Sequence, residues 1–329
     1  MAHGRSRPKY RSISSLAIAA VCAALISGAA LAQMKTMSIA TGGTGGVFYP
    51  LGGGLANVLS KAIPGLQATA EVTGGSVDNL KLIGSGQSEV AFTQADAVYD
   101  AVNGLDKFKG NKLAIRTLMV LYPNQMHVVT IEGTGINKVA DLKGKRVSTG
   151  SPGSATEVMA FRVMEAFGLD KDRDVKRERL GAAESVNAIK DRKIDAFFWV
   201  GGLPTSAVTD LAATPGVKLK LIDHADAVAK MNAKYGNLYA VSVIKAGIYP
   251  GQDKDNQNSV VWNLLVTGDK MPDDMAYTIV KTIFDKQADL IAVHREAENF
   301  SLKAQVKSNS TAPWHPGALK YFAERGVVM

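Results

Sequence analysis

Short apolar runs alternate along this chain with Gly/Ser/Thr turns and with segments whose apolar residues recur at helical spacing. That rhythm of strand, turn and helix predicts α/β units with parallel strands. "KTMSIAT" leads through "GGTGGVFY" into a helix opened by Pro50, whose missing N–H has no partner in a first turn anyway. Leu51, Leu55, Val58, Leu59 and Ala62 form its buried stripe. The plan repeats in "LQATAEVT", the turn Gly74-Gly75-Ser76 and the helix "VDNLKLI" closed by Gly84. A third unit follows, with "EVAFT" as strand and "QADAVYDAV" as helix, ended by Asn103-Gly104.

After "LAIRTLMVLYP" a second set is predicted to begin near Tyr122-Pro123, with "QMHVVTI" and "KRVSTG" as strands. The turn "SPGS" then opens the helix "ATEVMAFRVMEAFG", where Ser154 and Glu157 have the spacing of a capping box and Gly168 stands as terminator. "VKRERLG", the helix "AAESVNAIKD", the strand "IDAFFWV", the turn Gly201-Gly202 and the helix "PTSAVTDLAA" complete this set. Further on, "VKLKLI" and "VVWNLLVT" read as strands, and "PDDMAYTIVKTIFDKQADLIAVH" as one long helix with Pro272 near its start. The expected fold is α/β in two lobes; the motif resemblance given below implies the type II-like binding-protein architecture, with a ligand cleft between them. Its expected divisions are a leader over 1–32, lobe I over 33–122, lobe II over 123–223, and a recrossing segment with the rest of lobe I over 224–329.

The leader expectation comes from Arg5, Arg7, Lys9 and Arg11 ahead of the apolar run "SLAIAAVCAALISGAALA". Ala30 and Ala32 flank Leu31 in the pattern cut by signal peptidase, so an exported mature chain should begin at Gln33. The alternative is an uncleaved anchor, for which the apolar segment is near the lower limit for spanning a bilayer. A lipid-modified Cys22 would need Gly, Ala or Ser where Val21 stands.

Losing the four basic leader residues lowers the formal charge from +8 to +4, too mild a balance to suggest nucleic acid. Cys22 is the only cysteine, so the mature chain has neither disulfides nor thiolate metal ligands and must rely on an ordinary core. Neither a cofactor nor a metal is expected.

The candidate chemistry lies in the turns "TGGTGGVFY", "TGGSVD", "TQAD", "TGSPGSATE" and "VGGLPT". Each follows a strand, and the carboxyl ends of parallel strands are where such sheets bind ligands. Glycines allow close backbone approach, while helix-start N–H groups and the helix dipole favour negative charge. Five such turns predict a cleft for a small anion, a carboxylate. Phe48 and Tyr49 are candidate contacts, Gln94 is the best side-chain amide, and Phe197 is expected in the core.

Competing chemistries lack their residues. A dinucleotide fingerprint started at Gly43 would need glycine where Phe48 stands, and no G-K-[ST] follows any loop. His127, His224, His294 and His315 show no metal-ligand spacing. "GSPGS" is not a nucleophile elbow, since Ser151 and Ser154 fall at the wrong offsets. An exported serine hydrolase using one of these serines is the alternative from a different class, because a triad is set by geometry.

"ATGGTGGVFYPLGG", "TGGSVDNL", "AFTQAD", "LKGKRVSTGSPGSATE", "IDAFFWVGGLP", "YPGQ" and "WHPGALKYF" resemble, in order and over nearly the whole mature chain, the solute-binding proteins of the TAXI branch of TRAP transporters. The resemblance implies a non-catalytic, monomeric periplasmic receptor that closes on a four- or five-carbon dicarboxylate, hydroxy-dicarboxylate or glutamate/glutamine-like solute. It would deliver that solute to the membrane permease subunits of an ion-driven transporter. A receptor of similar fold serving an ABC importer or a sensor kinase is the nearer alternative.

By motif, the resemblance carries ligand contact onto Gly46, Phe48, Tyr49, Ser76, Gln94, Ser151, Gly153, Ser154 and Thr156. None of these turns contains the arginine that commonly clamps a carboxylate, and Arg116 and Arg146 are expected at the surface or hinge. Asp78, Asp96 and Glu157 stand at helix starts, where they favour the dipole, with Glu157 assigned to its capping box. That leaves little for an ammonium group and favours a dicarboxylate or hydroxy-dicarboxylate.

Overall fold

The computed structural model describes residues 1–4 and 35–329; the expected leader from residue 5 to its cleavage point lies outside the described residues. Residues 36–329 form one compact unit. The first three strand–helix units are β1 (Lys35–Ala40) with α1 (Phe48–Ala62), β2 (Leu66–Glu71) with α2 (Ser76–Ser85), and β3 (Val90–Gln94) with α3 (Ala95–Asn103). The long strand β4 (Ile115–Ile131) leads to β5 (Arg146–Ser148), α4 (Ala155–Ala166), β6 (Lys176–Glu178), α5 (Ala182–Lys190), β7 (Ala196–Gly201), α6 (Ser206–Ala213) and β8 (Leu219–Leu221). The remainder comprises α7 (Ala227–Tyr235), β9 (Ala240–Ile244), β10 (Asn256–Gly268), α8 (Asp273–Asp285), α9 (Gln287–Val293) and α10 (Pro316–Glu324).

Ten strands join in one sheet, ordered β2-β1-β3-β10-β4-β7-β5-β6, with β8 on β4 and β9 on β10. β1 runs parallel to β3, and β7, β5 and β6 are mutually parallel neighbours, as the strand–turn–helix rhythm predicts. The two long strands between these groups are antiparallel to their neighbours and to each other. β10 pairs β9 over Asn256–Val260 and β3 over Asn263–Thr267, while β4 pairs β10 up to Gln125 and β7 from Gln125 onward. The α/β expectation therefore holds, with both strand groups hung from one antiparallel pair.

The predicted restart at Tyr122-Pro123 does not interrupt the backbone: β4 runs straight through. Proline is tolerated inside a strand where the ladder is already irregular. Pro123 faces Trp262, next to the register shift between Trp262 and Leu264. The predicted long helix breaks at Lys286 into α8 and α9, and the Gln287 amide anchors the break by donating to the carbonyls of Ala297 and Phe300 at 2.7 and 2.9 Å.

The α1 stripe is buried as predicted, through Leu51, Leu55, Val58 and Leu59. Phe197 belongs to a core cluster with Val129, Val186, Ile189, Val208 and Leu211, beneath α5 and α6. A larger cluster runs from β1 through β3, β4 and β10 to α4, tying the two strand groups into one core.

Candidate functional site

The loops after β1, β2, β5 and β6, with the carboxyl ends of β3 and β7 and the centre of β4, line one cavity. It offers about 70 Å³ to the centre of a water-sized sphere. Since roughly 10–15 Å³ on that measure holds one water, the space suits a solute of about half a dozen non-hydrogen groups.

Of the residues singled out by sequence, Gly46, Phe48, Ser76, Gln94, Ser151, Ser154 and Thr156 line this cavity together; Tyr49 and Gly153 do not. Tyr122, Asn124, Ala182, Ala183, Glu184 and Trp199 line it as well. No Arg, Lys or His does so among the described residues. Arg146 is bound to Asp195 at 2.6 Å, and neither it nor Arg116 reaches the cavity.

Positive potential comes instead from three helix starts. The first N–H groups of a helix have no partner inside it, and α1, α4 and α5 each present such groups here. Ala155 and Thr156 of α4, Ala182 and Ala183 of α5, and Phe48 of α1 are lining residues. Their N–H groups donate to no atom among the described residues. α2 differs: the N–H groups of Val77 and Asp78 donate to the Gly153 carbonyl at 3.0 and 3.1 Å. These two N–H groups are thus spent on the facing loop. Gly153 makes this contact with φ of +77°, and a Cβ there would lie 2.2 Å from the Asp78 carboxylate, so only glycine fits.

Further contacts bring the facing loops together. Ser151 Oγ donates to the Gly74 carbonyl at 2.9 Å. Ser206 Oγ and the Ala207 N–H donate to the Gly45 carbonyl at 3.0 and 3.3 Å. Trp199 closes one side, its Nε1–H donating to Thr205 Oγ1 at 2.9 Å. The ring also sets the limit at Gly46, where a Cβ would meet it at 2.8 Å. Phe48 forms the opposite wall and packs on Phe92, ring centroids 5.6 Å apart.

Ser154 caps α4: its Oγ accepts from the Glu157 N–H at 3.1 Å and donates to the Ser151 carbonyl at 2.7 Å. The capping box is only half formed, which corrects the role expected for Glu157. Its buried carboxylate turns away to Arg179 at 2.8 Å, Arg177 at 3.3 Å and Lys107 at 3.5 Å. Three cations outbid one backbone N–H for a buried carboxylate.

The inner wall holds polar atoms without partners. Gln94 Oε1, Tyr122 Oη and Asn124 Oδ1 are buried and unpaired, and their residues are 3%, 0% and 0% exposed. Buried polar groups are ordinarily hydrogen-bonded, so these three leave acceptors on the cavity wall open to a donor. Thr156 Oγ1 accepts from the Val200 N–H at 3.3 Å and Ser76 Oγ from the Gln94 N–H at 3.2 Å, leaving each hydroxyl hydrogen free to donate.

The histidines serve the frame. His127 Nδ1–H donates to the Gln125 carbonyl at 3.0 Å, and Nε2 accepts from Tyr249 Oη–H at 2.8 Å. Burial lowers its pKa to about 4, and it does the same to His224. Neither lines the cavity, and no cluster of metal-ligating side chains occurs among the described residues.

Tyr122 and Asn124 carried no signal in the sequence, since they fall at the expected break between two strand sets and outside every glycine turn. The α5 start did carry one: "RLGAAE" repeats the strand–glycine–helix pattern of the other turns. Alanine side chains hid it, because the chemistry there belongs to the backbone.

Comparison with known proteins places this chain in a class. The NMT1-like family matches residues 39–326, and the chain belongs to that family. Among solved structures it is similar to a protein from Bordetella bronchiseptica RB50, at 16% identity over 89% of this chain and 99% of that one, with a TM-score of 0.55. It is similar to the GluR0 ligand-binding core in complex with L-glutamate, at 9% identity over 81% and 98% of the two chains, with a TM-score of 0.50. The periplasmic aliphatic sulphonate-binding protein SsuA from Escherichia coli is similar at 13% identity over 88% and 83%, with a TM-score of 0.43. The fold is thus the two-lobe α/β fold of solute-binding proteins. No helix among the described residues is long and apolar enough to cross a membrane.

Proposed function

We propose that this chain is a periplasmic solute receptor that captures a small carboxylate in the cavity and delivers it to an ion-driven permease of the TRAP type, in the TAXI branch. One observation carries the reading: three helix starts with unpaired N–H groups and three buried polar atoms without partners line one cavity that has no basic side chain among the described residues. Such a wall attracts an anion through dipoles and N–H groups. The TAXI assignment rests on the ordered motifs from "ATGGTGGVFYPLGG" to "WHPGALKYF".

In this reading the lobes are the two strand groups, and the chain crosses between them along β4 near Tyr122-Pro123 and back along β10 within 224–329. Gly46, Phe48, Ser76, Gln94, Ser151, Ser154 and Thr156 hold the ligand. Tyr49 and Gly153 support the loops that close on it. Solute bridging both loop sets stabilises the closed form by its greater affinity for that form. The receptor acts as a monomer, without catalysis or cofactor, after its leader over 1–32 is cut.

A receptor for an ATP-driven importer is the second reading, since the same two-lobe fold would serve either kind of transporter. Uptake into vesicles carrying the cognate permease separates the two. Receptor-dependent uptake driven by an ion gradient without ATP supports the TRAP reading; uptake that requires ATP hydrolysis contradicts it.

A further inference from the structure

Three side-chain amides lie in a row across β3, β10 and β4 behind the cavity. Asn263 is the register partner of Gln94, and the Asn124 amide donates to Asn263 Oδ1 at 2.7 Å. Gln94 Oε1, Asn124 Oδ1 and Asn263 Nδ2 are left unpaired, with Tyr122 Oη beside them on the cavity wall. All four residues are at least nine-tenths buried. The wall's only ionisable carboxylate is Glu184, which is exposed.

We infer that the cavity selects a monocarboxylate whose far end is neutral and hydrogen-bonding, a hydroxyl or a primary carboxamide, over dicarboxylates and amino acids. This rests on the receptor reading above and names its substrate class. Each helix start contributes roughly half a positive charge, so the three together suit one carboxylate. A second carboxylate placed against the amide row would be desolvated without a cation to face it. An ammonium group there would meet neutral acceptors and no buried acid. A hydroxyl or carboxamide both donates and accepts, which an amide row satisfies in either orientation of its members. The row therefore turns away charge of both signs and rewards a neutral donor–acceptor, since a site built of buried polar groups penalises ligands that leave them unpaired.

The test is a matched series on the 33–329 chain by isothermal titration calorimetry: butyrate, 4-hydroxybutyrate, succinamate, succinate and 4-aminobutyrate, with their five-carbon counterparts. The hydroxy or amide acid should bind at least about tenfold more tightly than the apolar, dianionic and zwitterionic members. Succinate or 4-aminobutyrate binding as tightly as these overturns the neutral-end inference and leaves the anion receptor standing. No binding by any member overturns both. Gln94→Leu should bring the hydroxy and amide acids down to the level of butyrate, and Gln94→Glu should turn preference toward 4-aminobutyrate. Unliganded melting midpoints report whether each variant folds. Unchanged preference in either folded variant overturns the role of Gln94.

Discussion

The Gly153 carbonyl accepts the Val77 N–H at 3.0 Å, so the start of α2 is capped by the loop it faces across the cavity. Together with Ser151 on Gly74, and Ser206 and Ala207 on Gly45, this contact describes a closed cleft. A receptor that releases its solute must break these bonds. They are few, exposed at their edges, and made largely by backbone.

Gly153→Ala should therefore disfavour closure. The residue would have to hold φ near +77° and displace the Asp78 carboxylate, a strain of about 1–2 kcal/mol before the clash is counted. Calorimetric affinity for the solute should fall about tenfold or more, while the unliganded melting midpoint shifts by only a few degrees. An unchanged affinity would show that the contact is incidental to binding.

Arg162 of α4 is the second tie between the strand groups. It lies 2.5 Å from Asp100 and 3.8 Å from Asp96, donates to Tyr239 Oη at 2.7 Å, and is 3% exposed. Burial raises the pKa of Asp100 to about 6 against the opposing pull of the guanidinium. Arg162→Met leaves buried carboxylates without their cation and should cost roughly 3–5 kcal/mol. Urea denaturation would measure it. A loss below about 1 kcal/mol would mean that the carboxylates find water instead.

His127 and His224 make stability depend on pH. Burial holds both near 4, below the ordinary 6.5, so between those values the folded state binds fewer protons than the unfolded chain. Their contribution is fully present above pH 6.5 and lost as pH falls toward 4, on the order of 3 kcal/mol for each. Asp100 works in the opposite sense between pH 6 and 3.8, because its raised value favours protonation in the folded state. Melting curves should show a net fall across this window, shallower in His127→Gln. An identical slope in that variant would remove His127 from the account.

Trp199 offers an optical readout. Its ring lines the cavity beside Gly46, so solute should change the fluorescence of the wild-type chain and leave that of Trp199→Phe unchanged. Gly46→Ala should push the indole aside and weaken the response. A solute-dependent signal surviving in Trp199→Phe would point to Trp262 or Trp314 instead.

The loops after β1, β2, β3, β5 and β7 were legible in the sequence because glycine, hydroxyl and amide residues advertise helix starts. Phe197 was legible as core for the complementary reason, an aromatic in a strand flanked by apolar neighbours. What escaped was long-range. Nothing near Val77 announces that Gly153 will take its N–H, and nothing near Glu157 announces Arg177 and Arg179. Tyr122 and Asn124 acquire their meaning only when β10 sets Asn263 beside them. The groups proposed to hold the anion are backbone N–H groups at Ala155, Thr156, Ala182 and Ala183, where residue type says little.

Thermal shift of the purified 33–329 chain against small carboxylates tests the central claim most directly. Ligand at a hundredfold its Kd stabilises the folded state by about 2.7 kcal/mol, and for a chain of this size that raises the midpoint by several degrees. A concentration-dependent rise with a four- or five-carbon carboxylate, reduced in Gln94→Leu, is the predicted result. A midpoint indifferent to every small anion, with turnover of an ester or amide by the same protein, would contradict the receptor and favour a hydrolase.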